Sequence, residues 1–541
     1  MFLRGLGFIL FVFFNQNMFS QGMLTGNVRF NMDFYDRDSA IAAVGENYEY
    51  NKNSANVWLQ TIYSDQAKGI EASIRFDGNY NSILQNPPNA TSFYGIGNWY
   101  IKKKIDDKLD VSVGYLYEQY GNGTALRTFE ERSLGIDNAI FGIRAKYKVN
   151  EKFSIRGIAG TQKYRLDFFG AFVKGMNAEY SHDFNDSFGF NVGSSIVNRT
   201  YSKEERAALD NAIQDKYYFP VNYNTYVGDF YTTVRYRNFT AYVEGAYKTK
   251  GAILNALTPE LYQNKAGYMI YGSLTYSKPK LGITFQGRQV ENFLFNSTQT
   301  QDPLFDRLNN RKLSFLAPIN KQHSLRLPAR FQIAPNELGE TGASLDLTYS
   351  LTKKIAINFN ASIIDTIGWK DPYYRELTGD VLFKKLLGGK LDQHVGVQYI
   401  YYNQRRYLGG TEPTDIVSYT GFTETIYRFN RKRSMRLELQ YQHAAKDLGQ
   451  SVFALLEFNI APSWSFSVSD LYNFKPNPKY EVQKAYQNSH HFWNVFASYT
   501  KSTTRFTLMY TKQLAGIVCT GGVCRFEPAF SGLRAQMTAS F

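Results

Sequence analysis

Apolar and polar residues alternate with a period of two over most of this chain. Near its end Leu533, Ala535, Met537, Ala539 and Phe541 occupy odd positions, and Arg534, Gln536, Thr538 and Ser540 the even ones. Successive side chains of a strand point to opposite faces, so this stretch has one apolar face and one wet face. Ile355, Ile357, Phe359, Ala361 and Ile363 alternate in the same way with Ala356, Asn358, Asn360 and Ser362, and Val111, Val113 and Tyr115 share one face. The pattern predicts strands at 24–34, around 57, and at 70–76, 94–101, 109–117, 140–147, 153–160, 168–180, 188–197, 226–236 and 239–247. In the second half it predicts 268–276, 281–290, 325–333, 344–351, 355–363, 374–383, 395–401, 416–427, 435–443, 452–460, 464–471, 493–499, 506–510 and the final stretch. Allowing for merged and missed segments, the count is roughly 22–26, each near the length that crosses a bilayer at a tilt.

The connections alternate too. Tight links at 150–152, 237–238, 278–280, 352–354, 461–463 and 502–504 interleave with long polar ones near 199–225, 248–266, 291–322, 403–415, 473–490 and 512–527. Short turns at one end and long loops at the other are the pattern of outer-membrane barrels, with the short turns periplasmic and the long loops extracellular. A solenoid would need a repeat of fixed period, and none is present. The expected fold is therefore all-β, one large antiparallel transmembrane β-barrel.

The start of the chain fits export. Arg4, an apolar run from Leu6 to Phe14 and a small residue, Ser20, make up the three regions of a signal peptide, so residues 1–20 are expected to be removed and 21–541 to form the barrel. No other run reaches the length of a helical span. The abundance of Tyr (41) and Phe (42), with a mean hydropathy of −0.38, suits strands that are half polar and rings gathered at two membrane interfaces. The expected location is the outer membrane, in contact with its lipid.

The formal charge of +14 raises the question of nucleic acid. Basic residues are dispersed, the short clusters Lys102-Lys103-Lys104 and Arg431-Lys432-Arg433 fall at expected turns, and no nucleic-acid module surrounds them, so that partner is not expected. A positive lumen would favour anionic solutes. The six His are scattered and no catalytic or metal-ligating constellation stands out, so neither enzyme activity nor a cofactor is expected.

Three features carry candidate chemistry. Arg127, Glu130, Glu131, Arg132 and Asp137 form the densest charged stretch, introduced by Gly121 and Gly123; it reads either as a paired network inside the lumen, narrowing it, or as a solvated loop. Cys519 and Cys524, the only cysteines, flank Thr-Gly-Gly-Val in the last long loop and read as a disulfide in an exported protein, without the spacing of a zinc or Cys-x-x-Cys redox site. Ser202, three residues before Glu205, opens a helical pattern with Leu209, Ala212 and Ile213 on one face, a short helix inside a long loop.

The run at 121–138 with its Leu-Arg-x-Phe-Glu-x-Arg-x-Leu-Gly-x-Asp-Asn core, the Cys-x-Gly-Gly-Val-Cys-Arg run at 519–525 and the Phe541 terminus together resemble the DUF6029 family of Bacteroidota outer-membrane proteins. The resemblance implies location and fold and carries no activity. A final strand closing on Phe also resembles the insertion signal read by the barrel-assembly machinery, which assigns that role to Phe541. A resemblance to TonB-dependent transporters is not expected, because they would spend well over a hundred N-terminal residues on a plug and the strand pattern here is expected from Leu24. The expected function is a porin-like channel for small or anionic solutes; the alternative is a non-conducting accessory or scaffold subunit that meets a lipoprotein or another outer-membrane component. A barrel of this size conducts unless something fills it, so occlusion discriminates between them.

Overall fold

A computed structural model describes residues 22–82, 91–214, 219–254, 262–299, 311–368, 370–403, 415–444, 449–476, 490–520 and 523–541. The expected signal segment, 1–20, lies outside the described residues. The barrel strands are β1 (Met23–Tyr35), β2 (Asn53–Asp65), β3 (Ile70–Ser82), β4 (Thr91–Lys104), β5 (Leu109–Leu116), β6 (Ile140–Lys148), β7 (Phe153–Tyr164) and β8 (Asp167–Asn185). They continue as β9 (Phe188–Thr200), β10 (Asn224–Tyr236), β11 (Phe239–Leu254), β12 (Tyr262–Lys278), β13 (Leu281–Glu291), β14 (Gly339–Thr352), β15 (Ile355–Thr366) and β16 (Tyr374–Leu386). The last are β17 (Leu391–Asn403), β18 (Asp415–Arg428), β19 (Arg433–Ala444), β20 (Gln450–Ile460), β21 (Trp464–Lys475), β22 (His490–Lys501), β23 (Thr504–Gln513) and β24 (Phe530–Ser540).

Each strand pairs antiparallel with its neighbours in sequence, and β1 also pairs with β24, so the 24-stranded sheet closes on itself. Closure runs from Asn27 opposite Ser540 to Tyr35 opposite Gly532, and beyond it Gly26 and Phe541 exchange backbone hydrogen bonds at 2.9 and 3.0 Å. Closure leaves no open edge, as a barrel in lipid requires.

Burial is inverted relative to a soluble sandwich. In β15 Ile357, Phe359 and Ile363 are exposed while Asn360 and Ser362 are buried. The apolar parity therefore faces outward and the polar parity inward, and Phe30, Ile74, Phe230, Ile270, Phe285, Val397, Leu456 and Leu508 repeat this around the wall. Aromatic rings gather towards the strand ends on the outer face: Phe184, Phe188 and Tyr236, then Phe239 against Tyr276, and Trp464 between Phe466 and Tyr499, near the short turns. Near the long loops Trp493 stacks on Tyr510 at 4.9 Å and His491 on Tyr472 at 4.1 Å. Two such belts separated by an aliphatic band are what a bilayer selects.

All the tight links named from sequence fall at one end of the barrel and all the long ones at the other; the exception at the long end is residues 165–166, which join β7 to β8 directly. Helix α1 (Lys203–Gln214) lies in the long β9–β10 connection, where the Ser202 hydroxyl accepts from the Glu205 N–H at 3.1 Å. It buries Leu209 and Ile213 against Ala171, Tyr201, Val221 and Ala252, while Ala212 is exposed.

One expected strand is absent. Residues 325–333 form turns, not part of the wall. Pro328 has no N–H for a ladder, and the backbone bonds itself instead, Ala329 N–H to the Leu325 carbonyl at 3.0 Å and Arg330 N–H to that of Leu327 at 3.1 Å. Its alternating apolar side chains are buried against the inner wall, because this piece of the β13–β14 connection enters the lumen.

Candidate functional site

The principal apolar clusters of this protein lie inside the barrel. Leu116, Ile140, Ile158, Val173, Val197, Val227, Ala246, Met269 and Val290 come from successive strands β5 to β13 and form an apolar collar on the lumen wall. Val197 stands directly opposite Val227, and Ala246, Met269 and Val290 follow one another in register. Against this collar pack Tyr120, Ala125 and Leu126 from the β5–β6 connection and Phe293, Phe295, Leu313 and Leu316 from the β13–β14 connection. A second wall patch, Ile364, Tyr374, Ile400, Tyr402 and Ile416, receives Ile319, Phe331 and Ile333. A third, from Phe453 of β20 round to Phe530 and Tyr35, receives Leu327 together with Ile41, Ala43 and Tyr48 of the β1–β2 connection.

Polar contacts follow the same path. Between those patches the Lys312 carbonyl accepts from Gln162 at 2.9 Å, the Ala317 carbonyl from Arg288, and the Pro328 carbonyl from Gln398 at 3.1 Å. His323 contacts Glu376, and Lys321 reaches Asp380 at 3.4 Å. Leu327 N–H donates to Gln440 at 2.8 Å while its carbonyl accepts from Gln442 at 3.1 Å. A buried backbone needs a partner for each donor and acceptor, and the inward polar parity of the wall supplies them. These contacts lie towards the long-loop ends of the strands; below them the wall is lined with half-buried polar side chains such as Arg144, Arg156, Asn191 and Arg436.

The charged stretch of the β5–β6 connection folds against this wall. Arg75 of β3, 2 % exposed, donates to Asp77 at 2.7 and 2.9 Å, to Glu130 at 2.6 Å and to Asp137 at 2.8 Å. Asp137 also accepts from Tyr117 at 2.8 Å and from Lys163 of β7, and Arg132 pairs with Glu130 at 3.0 Å. Burial pushes the Asp137 carboxyl up, but Lys163 and Arg75 outweigh it and hold the group below its ordinary 3.8. Arg75, Asp77, Glu130, Arg132, Asp137 and Lys163 line a small space of about 30 Å³.

The geometry thus brings together Glu130, Arg132 and Asp137, and leaves out Arg127 and Glu131. Arg127 lies over the Phe129 ring at 4.8 Å and gives its backbone N–H to the Leu313 carbonyl, while Glu131 accepts from Ser133 and caps a single 3-10 turn. Sequence reasoning missed Arg75, Asp77 and Lys163, each of which looks like an ordinary inward strand position. Cys519 and Cys524 are register partners in the hairpin of Gly516–Thr520 and Val523–Glu527; their side chains lie outside the described residues. Among the described residues no group of three or more His, Cys, Asp or Glu is placed to hold a metal ion.

The sequence model of DUF6029, described as a family of unknown function, matches residues 2–541. No curated protein matches the chain. Among solved structures it is similar to the siderophore receptor PirA from Pseudomonas aeruginosa, at 9 % identity over 96 % of this chain and 80 % of that one, with a TM-score of 0.42. It is similar to the same degree (9 %, 0.42) to the P pilus usher (PapC) translocation pore, over 96 % and 99 % of the two chains. The ferric citrate transporter FecA gives 10 % identity and 0.42 over 96 % and 78 %. Likeness at this level bears on neither ligand nor mechanism.

Proposed function

We propose, on the premise that the chain belongs to the DUF6029 family, that this protein is an outer-membrane barrel closed from its long-loop end by its own connections, and that it serves as a non-conducting accessory or scaffold subunit. One observation carries this reading: apolar side chains of the described parts of the β13–β14 connection, 292–299 and 311–338, sit in all three apolar patches of the lumen wall. A loop that merely narrows a pore keeps a solvated backbone and polar contacts. Here burial of each Leu, Ile or Phe contributes about 1.5–3 kcal/mol towards keeping the segment in place. Opening would cost all of these together.

The location follows from the exposed apolar band and its aromatic belts, which suit the bilayer, and from the barrel topology. Insertion through the barrel-assembly machinery, with Phe541 as its signal, and a lipoprotein or other outer-membrane partner belong to the same proposal. The long connections beyond the wall and the polar mouth at the short-turn end are the surfaces left to such a partner.

A porin-like channel for small or anionic solutes is the second reading. The half-buried polar side chains of the lower wall favour it, with Arg156 and Arg436 there already paired to Glu118, Glu179, Glu424 and Glu438. It requires the inner connections to leave their patches. Single-channel recording on the purified barrel separates the two readings: a closed accessory barrel gives no steady open level, whereas a porin gives one without any added ligand.

A further inference from the structure

Below the inner connections the wall of β8 to β12 carries a recess of about 390 Å³, roofed by Gly121 and Asn122. That is the volume of a small organic ligand. Its surface comes from side chains in the middle and the short-turn halves of their strands, so it lies below the inner connections.

Three tyrosines on adjacent strands shape it, and the hydroxyl of each is tied down. Tyr231 donates to Glu179 at 2.6 Å and accepts from Asn177 at 2.8 Å; Tyr242 donates to Glu244 at 2.9 Å; Tyr271 donates to Gln286 at 2.8 Å. Tyr231 is buried and acts as the anchor. Its ring lies over Gly193, where a Cβ would come within 2.3 Å of it, and under Gly121, whose φ of +50° and 2.8 Å approach likewise leave no room for a side chain. Tyr242 and Tyr271 are half-buried, with ring centroids 5.9 Å apart and planes 55° apart, and with their hydroxyls held they turn ring surface to the recess.

The remaining lining is neutral or already neutralised. Arg156 donates to Glu179 at 2.8 Å and to Glu118 at 3.1 Å, so the one carboxylate of the recess has its counter-charge. Asn122, Asn191, Thr233 and Ser273 add amides and hydroxyls. An anion finds no cation lining the recess, and an apolar ligand would strand these polar groups without partners.

We infer that the recess binds a neutral hexopyranose unit, whose C–H face packs on Tyr242 and Tyr271 and whose hydroxyls meet the amide and hydroxyl groups. This goes beyond the closed-barrel reading and requires no current through the protein. A free oligosaccharide and the N-acetylated end of a glycan strand share this chemistry, and separate probes tell them apart.

The test is titration calorimetry on the full chain, folded in detergent, with maltotriose and with chitotriose. Saturable binding of either supports the site and identifies the source. Tyr242→Ala and Tyr271→Ala should each weaken it about tenfold or more, in line with the loss of a stacking ring. Tyr242→Phe, which keeps the ring, should stay within about threefold of the unaltered protein, and heat-modifiable migration checks that every variant is folded. Absence of saturable binding by both sugars overturns the inference, as does binding that both alanine variants leave unchanged. A barrel that proved to conduct would sink the closed-barrel proposal and leave this result standing.

Discussion

The backbone N–H of Leu327, in the middle of the β13–β14 connection, donates to the side-chain carbonyl of Gln440 on β19 at 2.8 Å, 113 residues away. Leu327 itself is 1 % exposed, packed with Phe453, Leu471 and Phe492. Truncating it removes a buried contact without touching the wall's ladder. Leu327→Ala should therefore loosen the inner segment by about 2–5 kcal/mol while the barrel remains folded. Hydrogen exchange should show faster exchange confined to 311–338, and exchange that rises equally in β19 and β20 would contradict an independently seated segment.

Arg75 makes a sharper case, because it is buried among three carboxylates. Arg75→Ala leaves Asp77, Glu130 and Asp137 without their common partner, at a cost of about 3–5 kcal/mol, whereas Arg75→Lys should retain part of the charge balance and lose the forked geometry. Urea titration of the folded barrel reads both.

The pH dependence of the same cluster has a definite sign. Asp137 has a folded value depressed below 3.8, so its contribution is complete above the ordinary carboxylate range and is lost as pH falls through the lower, folded value. Protection of residues 117–139 should hold down to pH 3.8 and fail beneath it. Asp137→Asn should flatten this dependence. Loss of protection between pH 5 and 7 would assign the transition to other groups.

The closing strand offers a test of which parity meets lipid. Ala535 lies between Met32 and Leu508 on the outward face, whereas Gln536 lies beside Arg29 and Asn31 on the inward one. Ala535→Arg should cost about 2–4 kcal/mol if it sits near the bilayer midplane, and Gln536→Glu, next to a guanidinium, should be tolerated. Comparing the yields of heat-modifiable barrel decides it, and equal yields would contradict the assignment of faces.

Cys519 and Cys524 face each other across a hairpin register, a separation that a disulfide spans. The expected outcome is that alkylation labels neither until a reductant is added. Replacing both by Ser should cost no more than about 2 kcal/mol, since the closed loop is short. Ready labelling without reductant would show free thiols.

The wall was legible in the sequence because a strand that separates lipid from water alternates along most of its length, as Ile357 to Ile363 and Leu533 to Phe541 do; where the inner collar needs an apolar side chain, as at Val197 beside the outward Ile196, the alternation is lost. Residues 325–333 show where that logic ends. Leu325, Leu327, Phe331 and Ile333 alternate as a strand would, yet the last three meet apolar patches on the wall, and periodicity cannot tell a partner sheet from the inside of a barrel. Pro328 was the available warning. The charged stretch was visible as a cluster, but its partners Arg75 and Lys163 come from strands distant in sequence, where an inward Arg or Lys looks like any wet position. Arg127 and Glu131 belonged to the stretch by proximity in sequence alone, and the local turn sends them elsewhere.

The central claim is that the inner connections close the lumen, and planar-bilayer recording tests it most directly. The full protein should give no steady open level, and a variant in which 311–338 is replaced by a short Gly-Ser linker, which removes the segment that reaches all three wall patches, should give one, because a barrel of 24 strands is wide enough to conduct where it is not filled. A full-length protein that conducts steadily at the level of the shortened variant would contradict the account.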